Sequence, residues 1–188
     1  MVQIKRNEKI LIRDYTALLL IDIQEKILAV MNEPKQVINN SLKLIKGFKT
    51  LNIPIFYTEQ YPKGLGPTSQ KLLDELQGLS PIQKMSFSCQ GAGNFFDRLF
   101  DNNVKQVVVA GIETHVCVQQ TVLDLLANGF QVNIAADAVS SRNEFDYRIA
   151  LDRMSTHGAE ITTAEAILFE LLTVSGTDEF KEVSKIIK

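Results

Sequence analysis

Four apolar residues, Val107-Val108-Val109-Ala110, run into Gly111 and then into helical spacing. Val116, Leu123 and Leu126 recur there with Val118, Val122 and Leu125 as far as Asn128-Gly129. A short β-branched run bounded by glycine reads as a buried strand, and Asn-Gly is a helix stop. A strand that delivers the chain directly into a helix is the repeating unit of a parallel sheet. Cys117 falls on the first turn of that helix. Helix N-terminal amides carry partial positive charge and favour a thiolate, so position marks Cys117 as a candidate nucleophile. An isolated cysteine is otherwise usually a small apolar core residue.

The same unit recurs along the chain. Thr16 to Ile21 is a largely apolar run ending at Asp22, continuous rather than alternating, the pattern of a strand covered on both faces. A short helix follows, and Pro34 starts a second one reaching about Leu51. Ile53 to Tyr57 reads as the next strand, and Gln60 to Pro67 as a turn-rich loop. Further helices are expected around Gln70 to Leu76, Gly93 to Asn102, Arg148 to Met154, Ala164 to Leu172 and Phe180 to Ile187. Pro81 to Met85, Phe130 to Ile134 and Ala159 to Thr163 supply the remaining strands.

This alternation predicts a three-layer, Rossmann-like α/β fold, with a six-stranded parallel sheet in the order 3-2-1-4-5-6 and helices on both faces. Ligands bind such sheets at the carboxyl ends of the strands, where the order reverses. Strands one and four flank that point, so topology alone brings Asp22 and Cys117 to one crevice.

Residues 1–188 suit a single domain. The formal net charge of −2 gives no reason to expect nucleic acid or an anionic membrane as partner. Two cysteines, Cys89 and Cys117, do not make a disulfide framework and suggest a reducing compartment. Met1 to Ile12 contains no signal-peptide core, and no segment approaches membrane-spanning length, so a cytoplasmic protein is expected.

Three segments carry a family resemblance: Leu18-Leu19-Leu20-Ile21-Asp22-Ile23-Gln24, Gln83-Lys84-Met85-Ser86-Phe87-Ser88, and Gly111 to Val118. Together they resemble the isochorismatase-like cysteine hydrolases over nearly the whole chain. Thr58-Glu59-Gln60-Tyr61-Pro62-Lys63-Gly64-Leu65-Gly66, Asp137-Ala138-Val139-Ser140-Ser141-Arg142 and Phe180-Lys181-Glu182 look most like the isochorismatase domain-containing subgroup. The resemblance implies a catalytic group of Asp22, Lys84 and Cys117. Lys84 rests on the resemblance alone, because the expected strand order leaves it two strands from Asp22, roughly 10 Å away. The resemblance also implies a non-proline cis peptide at Ile112–Glu113 that aims a main-chain N–H at an oxyanion. The backbone N–H groups of Glu113 and Cys117 are then the expected oxyanion donors.

In this scheme Asp22 takes the thiol proton and returns it to a leaving amine. Lys84 as a cation favours both ionised forms, lowering the Cys117 pKa. A buried Asp–Lys pair that merely supports strand ends is the competing structural explanation. Gln24, Tyr61, Phe87 and Thr114 are candidate pocket residues. His115 is two residues from Cys117 and points elsewhere on a helix, which suits a packing or pocket-wall role. His157 falls late in a helix as a surface or cap residue, Cys89 is a passive thiol, and Asp137 and Arg142 organise a loop.

Related nicotinamidases add a metal site built from an Asp and histidines after the second strand. This chain has histidine only at 115 and 157, so no metal and no cofactor are expected. The leading function is metal-independent hydrolysis of a C–N bond in a small amide through a thioester. The alternatives are vinyl-ether hydrolysis of an isochorismate-type substrate and a non-catalytic interaction protein on the same fold. The expected partners are a small-molecule substrate and further copies of the chain, with Ala166-Ile167-Leu168-Phe169 as the apolar segment supporting a homo-oligomer.

Overall fold

The computed structural model describes residues 6–188; the first five residues of the Met1–Ile12 segment lie outside them. Strand β1 (Thr16–Ile21) is followed by α1 (Glu25–Leu28) and α2 (Pro34–Thr50), then β2 (Ile55–Gln60), α3 (Pro62–Leu65) and α4 (Gln70–Glu75). The short β3 (Ile82–Lys84) leads to α5 (Phe95–Asp101), β4 (Gln106–Ile112) and α6 (Gln119–Ala127). The chain closes with β5 (Gln131–Ser140), α7 (Glu144–Thr156), β6 (Glu160–Thr162), α8 (Ala164–Leu172) and α9 (Asp178–Ile187). All five strand pairings are parallel and the order is β3-β2-β1-β4-β5-β6, as expected. No helix among the described residues is long and apolar enough to cross a membrane.

Side chains of a strand alternate between faces, and with both faces covered β1 and β4 are buried at every position and apolar beyond their first residues, Thr16 and Gln106. Leu18 and Leu20 with Val108, Ala110 and Ile112 pack against α2, α8 and α9 through Leu44, Ile45, Phe48, Ile167, Leu168 and Val183. Ala17, Leu19 and Ile21 with Val107 and Val109 pack on the opposite face against Phe95, Leu99, Val122, Ala150 and Met154 of α5, α6 and α7, and against Val118 just before α6. Ile167 and Leu168 are therefore core residues, and in the expected oligomer segment only Phe169 is exposed.

The boundaries of three elements differ most from the sequence expectation. β2 begins after Pro54 and extends through Thr58, Glu59 and Gln60, which pair with Ile82, Gln83 and Lys84. These residues are polar, so hydrophobic periodicity could not include them; the backbone ladder does. β5 is ten residues long, with a register shift where it passes Val109 and Gly111 of β4. The N-terminus of α7 lies four residues before the apolar pattern, where the Asn143 side chain accepts from the Phe145 N–H at 2.9 Å. The loop after β2 also contains the short helix α3.

Gly111 couples the two central strands. Its φ is +142°, and a Cβ there would lie 2.3 Å from the Ile21 carbonyl oxygen, so only glycine lets β4 approach the end of β1 this closely. One residue further, Asp22 has φ +53°, a left-handed conformation that Asp tolerates better than most residues. The chain turns off the sheet there, with the Gln24 N–H donating to the Asp22 carbonyl at 2.7 Å.

Candidate functional site

Asp22, at the turn after β1, is 1% exposed. Its Oδ1 accepts from the Thr58 hydroxyl at 2.7 Å and its Oδ2 from Lys84 Nζ at 2.5 Å. A buried carboxylate needs this kind of charged, hydrogen-bonded partner. β2 separates the two strands, and Thr58 explains how the pair forms across it. Thr58, Gln60 and Lys84 share the face that carries Ile82 and Phe56. The small threonine side chain leaves room for the lysine stem to pass over β2.

Lys84 is saturated as a donor. Its ammonium bonds Asp22, the Phe87 carbonyl at 2.9 Å and the Ser86 carbonyl at 3.2 Å. An ammonium has three N–H groups, so none is left for a ligand. Lys84 fixes and balances Asp22 and has no proton to spare for chemistry.

Cys117 sits in a π-helical turn, Thr114–Val118, between β4 and α6. The residue is 3% exposed and lies near Asp22, whose charge acts on its thiol. The thiol donates to Gln60 Oε1 at 3.2 Å. Burial first, then the negative charge of Asp22, pushes the thiol well above the ordinary range. Lys84 pulls the other way and is outweighed, because its charge is already matched by Asp22. The expected lowering of the Cys117 pKa is thus overturned: the sulfur rests as a neutral thiol beside a carboxylate.

The Ile112–Glu113 peptide is cis. The Glu113 carbonyl accepts from the N–H groups of Val116 at 3.0 Å and Val118 at 3.2 Å, on either side of Cys117. The Glu113 carboxylate is buried and bonds the Arg142 Nε at 3.0 Å, tying the segment after β5 to the end of β4.

The remaining sequence candidates divide. Tyr61 lines an open cavity of about 560 Å³ with Pro62, Lys63, Gln83, Met85 and Ser86, at the carboxyl ends of β2 and β3. Phe87 is exposed, and its backbone carbonyl rather than its ring serves Lys84. Gln24 is not a pocket wall. It is wholly buried, its Nε2 bonding the carbonyls of Gln60 and Gly66 and its Oε1 accepting from the Gln60 N–H. Thr114 is also wholly buried, and its hydroxyl has no partner.

His115 bonds Ser141 Oγ at 2.9 Å, and the exposed His157 bonds back to the Arg153 carbonyl at the end of α7. Asp137 accepts from the Ala164 N–H at the start of α8. Cys89 lies against the site rather than away from it. Its N–H bonds the Thr121 hydroxyl, which in turn donates to the Cys117 carbonyl, and its thiol feels both Lys84 and Asp22. Burial pushes the Cys89 thiol up to about 11, so it remains a passive group.

Two residues escaped sequence reasoning: Thr58 on the carboxylate and Gln60 on the thiol. Their i, i+2 spacing at the polar end of a strand was the available signal. Among the described residues no group of three or more His, Cys, Asp or Glu is placed to hold a metal ion.

A six-stranded parallel sheet with acid, lysine and thiol gathered beyond its central strands defines an α/β protein with an enzyme-type site. Residues 16–166 match the isochorismatase domain, and the chain belongs to this isochorismatase-like hydrolase family. It is 41% identical over 168 residues to isochorismatase domain-containing protein 1 of Salmo salar, covering 89% of this chain and 59% of that protein. The chain thus spans about three-fifths of that relative's length.

The structure of the MAR1 ribonuclease from Caenorhabditis elegans superposes with a TM-score of 0.89 at 40% identity, covering 94% of this chain and 91% of that one. The YcaC gene product of Escherichia coli, described as an octameric hydrolase of unknown specificity, gives 0.90 at 27% identity, covering 97% and 91%.

Proposed function

We propose that the chain is a metal-independent cysteine hydrolase that cleaves the C–N bond of a small amide through a thioester on Cys117. The observation that carries this reading is a buried thiol near the Asp22 carboxylate, whose own partner, Lys84, is saturated.

Because the thiol is not ionised beforehand, its proton leaves for Asp22 as the sulfur attacks the carbonyl carbon. Negative charge then develops on the former carbonyl oxygen, with the backbone N–H groups of Glu113 and Cys117 as its donors. Collapse breaks the C–N bond, and Asp22 returns the proton to the departing amine. Water next attacks the thioester carbonyl, giving a proton to Asp22; the C–S bond then breaks, and the acid is released as the departing sulfur takes that proton back. Lys84 keeps its proton throughout and holds the carboxylate in place.

The supporting experiment is turnover on a panel of small amides, isochorismate and a short RNA oligomer, with Cys117→Ala as control and with exhaustive chelation. Amide hydrolysis that resists chelation and disappears in Cys117→Ala is the expected result. Turnover of isochorismate or RNA alone, or full activity in Cys117→Ala, would overturn it. The RNA arm addresses the ribonuclease name of the Caenorhabditis elegans protein; a net charge of −2 and a nearly sealed thiol favour a small molecule.

We also infer that copies of the chain associate. Met85 (71% exposed) and Phe87 beside the site, and Phe145 (69% exposed) and Ile149 one turn apart on α7, leave apolar surface in water. The Escherichia coli relative is described as octameric. A monomeric mass by light scattering at micromolar concentration would refute association.

A further inference from the structure

The protonation cycle of Cys117 raises a question that Asp22 and Lys84 leave open. Negative charge on the sulfur, as it develops during attack or is released when the C–S bond breaks, needs N–H donors in a site this buried, since water cannot reach it freely. Asp22 when ionised is an acceptor only, and all three Lys84 donors are engaged. His115 is bonded to Ser141. The side chain touching the sulfur is Gln60, whose Oε1 lies 3.2 Å from Sγ.

Gln60 is held in an unusual way. It is the last residue of β2, where a further residue of β1 would ordinarily continue the ladder. The Gln24 carboxamide takes that place, accepting from the Gln60 N–H at 2.8 Å and donating to the Gln60 carbonyl at 3.0 Å. The same Nε2 also donates to the Gly66 carbonyl at 2.6 Å, which ties the following loop to the clamp. On the other side, Gln60 pairs with Lys84 in the β2–β3 ladder, and the next N–H, of Tyr61, donates to the Lys84 carbonyl at 2.9 Å. The backbone is fixed from both sides while the terminal torsion of a glutamine is soft and two-fold. The carboxamide can exchange its oxygen for its nitrogen without moving the chain.

We propose that Gln60 holds the Cys117 sulfur in both protonation states, accepting from the S–H through Oε1 and, once its carboxamide has turned over, donating from Nε2 to the thiolate. No bond to Gln60 forms or breaks; the thiol proton passes to Asp22, and the carboxamide reorients to match the new charge. Gln24 acts through Gln60 as a positioning residue, and the buried, backbone-bonded state of Gln24 follows from that role. The assignment rests on Cys117 being the nucleophile of the proposed hydrolase, but its test needs no substrate.

The test is the rate of Cys117 alkylation by iodoacetamide as a function of pH, followed by mass spectrometry of the Cys117 peptide, in the native chain and in Gln60→Leu, Gln60→Met and Gln60→Glu. Losing the N–H donor should move the midpoint of the rate–pH curve upward and slow labelling at pH 8 by about tenfold in the Leu and Met variants. Gln60→Glu, an isosteric anion with no N–H, should slow it further. Melting temperatures report whether each variant keeps the fold, and two apolar variants guard against the failure of one. A merely structural role would change melting or the limiting rate at high pH and leave the midpoint in place. Folded Leu and Met variants with the native midpoint, or a Glu variant that labels like the native chain, would overturn the proposal. Loss of the hydrolase reading would show separately, as turnover surviving in Cys117→Ala.

Discussion

Asp22 and Lys84 meet at 2.5 Å across an intervening strand, with the Thr58 hydroxyl of that strand bonded to the second carboxylate oxygen at 2.7 Å. The carboxylate is thereby held through both oxygens, and its charge acts on the Cys117 thiol. Burial first, and then the charge of Asp22, keep the thiol protonated, and the lysine, already paired with Asp22, does not offset them. The site separates the group that fixes the base from the group that reacts, and each can be tested by a different measurement.

Asp22→Asn should send turnover and thiol reactivity in opposite directions. A carboxamide cannot take the proton, so turnover should fall by at least about 10²–10⁴-fold. Removing the negative charge that raises the Cys117 pKa, while leaving the Lys84 cation, should increase the thiolate fraction. Alkylation of Cys117 near pH 8 should therefore accelerate. A variant that labels more slowly than the native chain would show that Asp22 does not govern the thiol.

Lys84→Met should cost stability first. It leaves the Asp22 carboxylate buried with its charge unpaired, and breaking such a pair by removing one partner costs about 3–5 kcal/mol. Urea unfolding should show that loss, and Lys84→Gln, which restores a donor, should recover part of it. Equal stability of the Met variant and the native chain would mean that the pair contributes nothing net.

Stability should also decline at alkaline pH. The Cys89 pKa is raised from 9.0 to about 11 in the folded chain by burial. For a group raised on folding, the stabilisation is fully present below the unfolded value and is lost as pH rises through the folded one. Unfolding free energy should thus fall between pH 9 and 11, with about 2–3 kcal/mol attributable to this thiol. Cys89→Ala should flatten that part of the fall while leaving turnover near neutral pH in place. An unchanged alkaline profile in Cys89→Ala would assign the decline to other groups.

Gly111→Ala should damage the site from a distance. Its Cβ would meet the Ile21 carbonyl oxygen at 2.3 Å in a positive-φ conformation. The combined cost of overpacking and backbone strain is about 2–4 kcal/mol. If β4 yields instead of unfolding, the Cys117 turn moves away from Asp22. A soluble variant should then show a larger loss in kcat than in KM, and native kinetics would remove Gly111 from the argument.

The exchange of roles between Gln24 and Gln60 shows where sequence reasoning stops. Both are glutamines near strand ends, and nothing in residue type distinguishes the one that clamps backbone from the one that touches sulfur. Gln24 leaves β1 through the left-handed Asp22, and Gln60 ends β2 on the same face as Thr58; only the pairing of those strand ends decides which side chain points at Cys117.

The sequence alone determined the layered α/β architecture, because strands covered on both faces must be continuously apolar and helices must supply the cover. It also determined that Asp22 and Cys117 share a crevice, since both follow the two central strands of the expected order. Tertiary structure decided that Lys84 reaches Asp22, because the reach depends on a small residue, Thr58, in the strand between. It decided too that the thiol is neutral, contrary to the reading from helix position. A pKa in a buried site is set by the sum of desolvation and every nearby charge, and that sum exists only once the chain has folded.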